Sequence, residues 1–168
     1  MTAAQKKFIE HVRLVNHRRP KECGYDLRRV SDPADCAFRE VFDVFVKGKS
    51  IGVVIKFPKR KGLRDNIRHS LYEVQAVQRM REDPELLALK RYAPKILFHE
   101  TNTGVVIMPK YKTIEWSEVF EGFQKTFLKM VIDLIPEMKF GFDTGTRNFG
   151  KYRGHYVLLD AGLLGDVR

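Results

Sequence analysis

Cysteine is nearly absent from this chain. Cys23 and Cys36 are its only two in 168 residues, too few for a disulfide framework or a Cys-rich metal cage. No apolar run approaches the roughly 20 residues that a membrane helix needs, and the longest are only of strand length. The N-terminal stretch MTAAQKKFIEHVRLVNHRRPK is basic and lacks the apolar core of a secretory signal. These absences point to a reducing cytoplasm and to no membrane partner. Acid is scarce as well: 21 Asp and Glu face 31 Lys and Arg, a formal charge of +10. Such an excess favours polyanionic partners, whether nucleotides, nucleic acids or acidic proteins. The basic residues concentrate in two places, Lys6 to Lys21 and Lys56 to Arg68. Nucleic acid rests on charge alone, because no helix-turn-helix glycine turn, zinc spacing or aromatic ribonucleoprotein motif accompanies it.

What is present suffices for one compact unit. At 43% hydrophobic and 11% aromatic, the chain can bury one continuous core or two small lobes sharing a seam. Residues 3 to 16 space Phe8, Val12 and Val15 as a short amphipathic helix. Tyr25 to Val30, Phe38 to Val46 and Ile51 to Phe57 are rich in β-branched and aromatic residues. With the turn KGKS between the last two, they read as an antiparallel meander. Asn66 to Arg81 places Ile67, Leu71, Val74 and Val77 on one helical stripe, with Asp65 or Asn66 as its cap. PELLALKRY forms a short helical turn that Pro94 ends. KILFHE and GVVIMPK then form a hairpin through Thr101 to Gly104. Residues 115 to 135 make the clearest helix, with Trp116, Phe120, Phe123, Phe127, Met130 or Val131, and Leu134 on a core stripe. A strand pair around KYRGHYVLLD completes the chain.

The chemistry concentrates near the end, in GFDTGTRNFG and YVLLDAGLL. Asp143, Asn148 five positions later, and Asp160 closing an apolar run form a layout that can hold Mg²⁺ against nucleotide phosphates. Lys56 adds an ammonium inside the apolar run GVVIKF, where it needs a partner or an outlet to solvent.

From about residue 22 onward, the order of elements and these polar residues together resemble the protein kinase-like fold. ADCAFREV (34 to 41) stands where that family has its phosphate-covering loop, with Phe38 at the tip and Val41 over the adenine. GVVIKF looks like the third strand, making Lys56 the nucleotide lysine, and Glu73 on the next helix its ion-pair partner. GVVIMPKY resembles the strand entering the hinge, with Met108 near the gatekeeper position and Pro109, Lys110 and Tyr111 as hinge. FDTGTRN is similar to the catalytic loop and LLDAGL to the Asp-Phe-Gly segment.

The resemblance implies an α+β chain: a basic helical extension (1–21), a five-stranded antiparallel N-lobe with one inserted helix (22–112) and a truncated helical C-lobe (113–168). It implies ATP and Mg²⁺ as cofactors. Lys56 would hold the α- and β-phosphates, Glu73 would orient Lys56, Asp143 would take the acceptor's proton, and Asn148 with Asp160 would hold the metal. Phe38, Val41, Met108, Lys110 and Tyr111 would line the nucleotide. Some positions depart from the family pattern. Ala34, Cys36 and Arg39 replace the loop glycines, Asp32 and Asp35 add acid there, and Gly141 and Phe142 precede Asp143 in place of His and Arg. With only eight residues after Asp160, no activation segment or peptide-binding lobe is expected. The expected function is a minimal kinase-like phosphotransferase acting on a protein or other hydroxyl acceptor, of bacterial or bacteriophage origin. The alternative is a pseudokinase that docks a partner protein through its basic surface.

Overall fold

The computed structural model describes residues 1–15, 25–30, 38–134 and 146–160. In chain order the elements are α1 (Ala3–Leu14), β1 (Tyr25–Arg29), β2 (Arg39–Val46), β3 (Lys49–Pro58) and α2 (Leu63–Glu82). A 3₁₀ segment (Pro84–Tyr92) follows, then β4 (Phe98–Glu100), β5 (Val105–Pro109), β6 (Lys112–Thr113), α3 (Glu118–Leu134), β7 (Phe149–Tyr152) and β8 (His155–Leu158). This is an α+β protein. It divides into two compact units, Met1–Leu71 with Lys95–Lys110, and Tyr72–Pro94 with Tyr111–Arg168. No helix of the described residues is long and apolar enough to cross a membrane.

The first unit is built on a five-stranded antiparallel sheet in the order β1-β2-β3-β5-β4. The β2–β3 turn is tighter than the KGKS reading implies: Lys47 (φ 48°) and Gly48 (φ 77°) are both left-handed, and β3 starts at Lys49. Two left-handed residues in a row give the turn whose twist matches paired strands. Side-chain alternation then sends Phe42, Val44, Val53, Ile55, Phe57, Val105 and Ile107 to one face. There they form a single core with Leu27 of β1 and with Phe8, Ile9 and Val12 of α1. A capping box starts α1: Thr2 Oγ1 accepts from the Gln5 amide at 3.3 Å while Gln5 Oε1 accepts from the Thr2 amide at 2.9 Å. Gln5 Nε2 also donates to the Ile51 carbonyl at 3.0 Å, pinning the helix to β3.

Helix α2 departs from expectation at its start. It begins at Leu63, so Asp65 lies inside the first turn and Asn66 is not a cap. Asn66 is buried and donates through Nδ2 to the carbonyls of Lys59 and Lys61, at 2.9 and 2.8 Å. Of the expected stripe, Val74 and Val77 are buried, whereas Ile67 and Leu71 are half-buried. At the β4–β5 turn, Gly104 has φ 66°, and a Cβ there would stand 2.9 Å from Pro58 Cγ and 3.0 Å from Ile67 Cα. Glycine is required at that position.

The second unit has its own aromatic core. Phe120, Phe127 and Val131 of α3 are buried. Phe127 meets Tyr92 at 5.0 Å and Phe149 at 5.3 Å between ring centroids, and Phe123 stacks on Tyr156 at 4.1 Å. The expected stripe is corrected at its first member. Trp116 precedes the helix and is 66% exposed, because α3 begins at Glu118.

The coverage of the sheet by α1 sets the stability of the first unit. Replacing a fully buried phenylalanine by alanine removes its transfer free energy and leaves a cavity. Phe8→Ala is expected to lower unfolding stability by about 3–5 kcal/mol, read as a reduced urea midpoint in equilibrium denaturation. An unchanged midpoint would show that α1 is not part of the cooperative unit.

Candidate functional site

The sheet face opposite α1 carries the buried charges of the strands, Arg39, Asp43 and Lys56. Directly opposed residues of antiparallel strands point to the same side, so the register Val41↔Lys56↔Val106 and Asp43↔Val54↔Met108 defines this face. Lys56 is only 6% exposed, although it occupies an apolar central strand. Val54, Val106 and Met108 are buried around it, and Val41 is half-buried. The sequence-predicted Val41, Lys56 and Met108 are thus brought together on one surface. Two steps from Val41 along β2, Arg39 continues the same face and is also buried. Arg39 was noted only as a lost glycine. Its inward position was legible in the alternation of REVFDVFV once the register was known.

Asp43 was missed outright. It is 3% exposed, accepts from Ser50 Oγ at 2.8 Å and pairs with Lys110 Nζ at 2.5 Å. The Lys110 amide additionally donates to the Gly52 carbonyl at 3.0 Å. Lys110, expected along the nucleotide, is therefore anchored by backbone and side chain to β2 and β3. Phe38, expected at the tip of a phosphate-covering loop, stacks on His69 of α2 with ring centroids 3.9 Å apart. Of that loop, residues 34 to 37, including Ala34 and Cys36, lie outside the described residues.

In the second unit, Glu73 on α2 is 0% exposed, and neither Glu73 nor Lys56 is without a partner. Tyr111 packs against β7: its ring meets Tyr152 edge-on at 6.0 Å. Asn148 and Asp160 stand at one end of the β7–β8 ribbon. Phe149 pairs with Leu158, and the Leu159 amide donates to the Asn148 carbonyl at 2.6 Å. Asn148 and the residue preceding Asp160 are thereby locked side by side. Arg153 (φ 49°) and Gly154 (φ 85°) close the ribbon with two left-handed residues. Asp143 lies outside the described residues.

Amide and carboxylate oxygens are hard donors of the kind Mg²⁺ takes, usually from one or two protein groups with phosphate and water completing its shell. Asn148 and Asp160 fit that sparse pattern. Among the described residues, no group of three or more His, Cys, Asp and Glu side chains could form an all-protein metal cage. No protein-family model matches this chain, and no curated protein is significantly similar to it in sequence.

The end of the ribbon that carries Asn148 depends on a close approach at Gly150. A Cβ there would come within 2.5 Å of Tyr111 Cβ and 3.2 Å of the Leu159 methyls. Tyr111 Cβ is fixed to backbone and cannot swing aside. Gly150→Ala is expected to cost about 1–3 kcal/mol of stability, measured by thermal or urea unfolding. At the other anchor, Asp43→Ala removes the acceptor of the Ser50 hydroxyl and the partner of Lys110. Lys110 is nearly half exposed, so the expected loss is only about 1–2 kcal/mol, by the same measurement.

Proposed function

We propose that this chain is a kinase-like phosphotransferase that uses ATP with Mg²⁺ to phosphorylate a hydroxyl acceptor. The observation that carries the reading is Lys56: an ammonium held at 6% exposure in the central strand of a five-stranded antiparallel sheet. A buried ammonium is costly unless it is paired, and hydrophobic packing gives no reason to keep one there. It shares its face with the apolar Val41, Val54 and Met108, and with the second cation Arg39. The insertion of α2 between β3 and β4, and the placement of β5 beside β3, agree with the kinase-like resemblance.

On this reading Lys56 holds the α- and β-phosphates by charge, and Glu73 orients it. Phosphoryl transfer has a loose transition state with spread charge, so catalysis is positioning and neutralisation. Asp143 takes the proton of the acceptor hydroxyl as its oxygen bonds to the γ-phosphorus and the bond to ADP breaks. Asn148 and Asp160 would hold Mg²⁺, which when bound supplies neutralisation of phosphate charge. The acceptor is a protein or another hydroxyl compound. A reducing cytoplasm fits the low cysteine content. A second reading, a pseudokinase that docks a protein partner, is favoured by the glycine-free segment Ala34 to Val41, where side chains keep backbone amides away from phosphate.

A ligand that binds only the folded state raises the unfolding temperature. Mg·ATP is expected to do so for the wild type and not for Lys56→Ala or Asp160→Ala, by thermal-shift titration. Absence of any shift at millimolar Mg·ATP removes the nucleotide site. Transfer of the γ-phosphate is expected to fall by about 10²–10⁴-fold in Asp143→Ala. A thermal shift without transfer to any acceptor selects the pseudokinase.

A further inference from the structure

The densest run of positive charge lies at the junction of β3 and α2, apart from Lys56. Lys59, Arg60, Lys61, Arg64 and Arg68 stand within ten residues that contain a single acid, Asp65. Arg60, Lys61, Arg64 and Arg68 are exposed, and no acidic side chain among the described residues pairs with any of them. Their placement works against local stability. Arg64 falls in the first turn of α2, where the helix dipole disfavours cations, and Arg64 and Arg68 are like charges at i,i+4. The cluster is nevertheless held in shape. Buried Asn66 clamps the carbonyls of Lys59 and Lys61 from inside, and Gly62 (φ 71°) turns the chain into the helix. With its carbonyls tied inward, the loop presents its cations outward.

An aromatic platform is fastened to the same loop. The Lys59 amide donates to the Phe38 carbonyl at 2.9 Å, extending the β2–β3 ladder by one rung. The Phe38 ring is stacked on His69, yet remains 45% exposed. A fixed ring with open surface, set beside unneutralised Arg and Lys side chains, is the combination that binds single strands: cations follow the phosphates while an unpaired base stacks.

We propose that Phe38 and the Arg60–Lys61–Arg64–Arg68 cluster form a binding surface for single-stranded nucleic acid, whose four cations are not among the residues of the proposed phosphotransfer site. The phosphodiester charge complements the cations, and Phe38 accepts a base on its exposed surface. The groups the surface offers are charges and a ring, so it does not read the sugar, and DNA and RNA strands bind alike. An acidic polypeptide satisfies the cations and leaves the ring unused.

Fluorescence anisotropy of the full chain with a labelled oligothymidine tests this. Affinity should fall with salt with a log–log slope of about −3, as four phosphate contacts on a single strand require. Arg60→Glu/Lys61→Glu/Arg64→Glu should weaken binding by at least about 30-fold while leaving the unfolding temperature and the Mg·ATP shift intact, the salt-sensitive cations having been removed. Phe38→Ala should weaken it by about 10-fold and Phe38→Trp should not, as loss or retention of one stacked base predicts. A 5-iodouracil strand irradiated with the wild type should crosslink at Phe38, a readout that needs no variant. Four results would overturn the assignment: crosslinking confined to other segments, undiminished binding by the triple variant, competition by polyglutamate equal to that of unlabelled strand, or a preference between DNA and RNA above about tenfold. Loss of the Mg·ATP shift in the wild type would bear on the phosphotransferase reading alone.

Discussion

The first unit depends on one division of labour within its sheet. Helix α1 seals one face with Phe8, Ile9 and Val12, and the buried cluster that the strands form beneath it is wholly apolar. Strand alternation then places Arg39, Asp43 and Lys56 on the other face, whereas the paired Arg29 and Glu40 lie on the α1 side outside the core cluster. That is why the three buried charges share one surface although the sequence scatters them. A one-residue slip of β3 would send Lys56 into the α1 core, where no partner exists among the residues of that cluster. The register is therefore held by the cost of burying a charge as much as by the gain from burying Ile55 and Phe57.

Charge on that second face is organised by pairing. Asp43 binds Ser50 and Lys110, which fastens the end of β5 to the β2–β3 hairpin. The same economy appears at α2, where Asn66 gives its amide to two loop carbonyls instead of the helix end. In both places a buried polar side chain fixes a loop. In the second unit, packing does the equivalent work. The Gly150–Tyr111 approach and the Leu159–Asn148 hydrogen bond fix the ribbon end that carries Asn148 and leads into Asp160.

The functional readings differ in what supports them. The phosphotransferase proposal draws on a buried ammonium and two hard oxygen donors, each placed by its own unit. The nucleic-acid proposal draws on exposed cations and a ring, joined through the Phe38–Lys59 hydrogen bond. A strand-binding surface on a phosphotransferase would direct its activity to nucleic acid or to proteins bound there.

The elements themselves were legible. Period-two runs such as REVFDVFV and the period-3.6 run of α3 are local properties, and the five strands with α2 inserted appear where those periods stand. Boundaries were less so: Trp116 lies outside α3, and α2 starts at Leu63 because Asn66 is used by the loop before it. Lys56 was conspicuous as a lone charge in an apolar strand, whereas Asp43 and Arg39 were not. Their burial depends on which strand lies opposite, a pairing between residues far apart in the chain. Periodicity is written residue by residue, but register and the partner of a buried charge arise only when distant strands meet. The sequence alone therefore determined the elements, and the tertiary structure decided which of its many charges would be buried together.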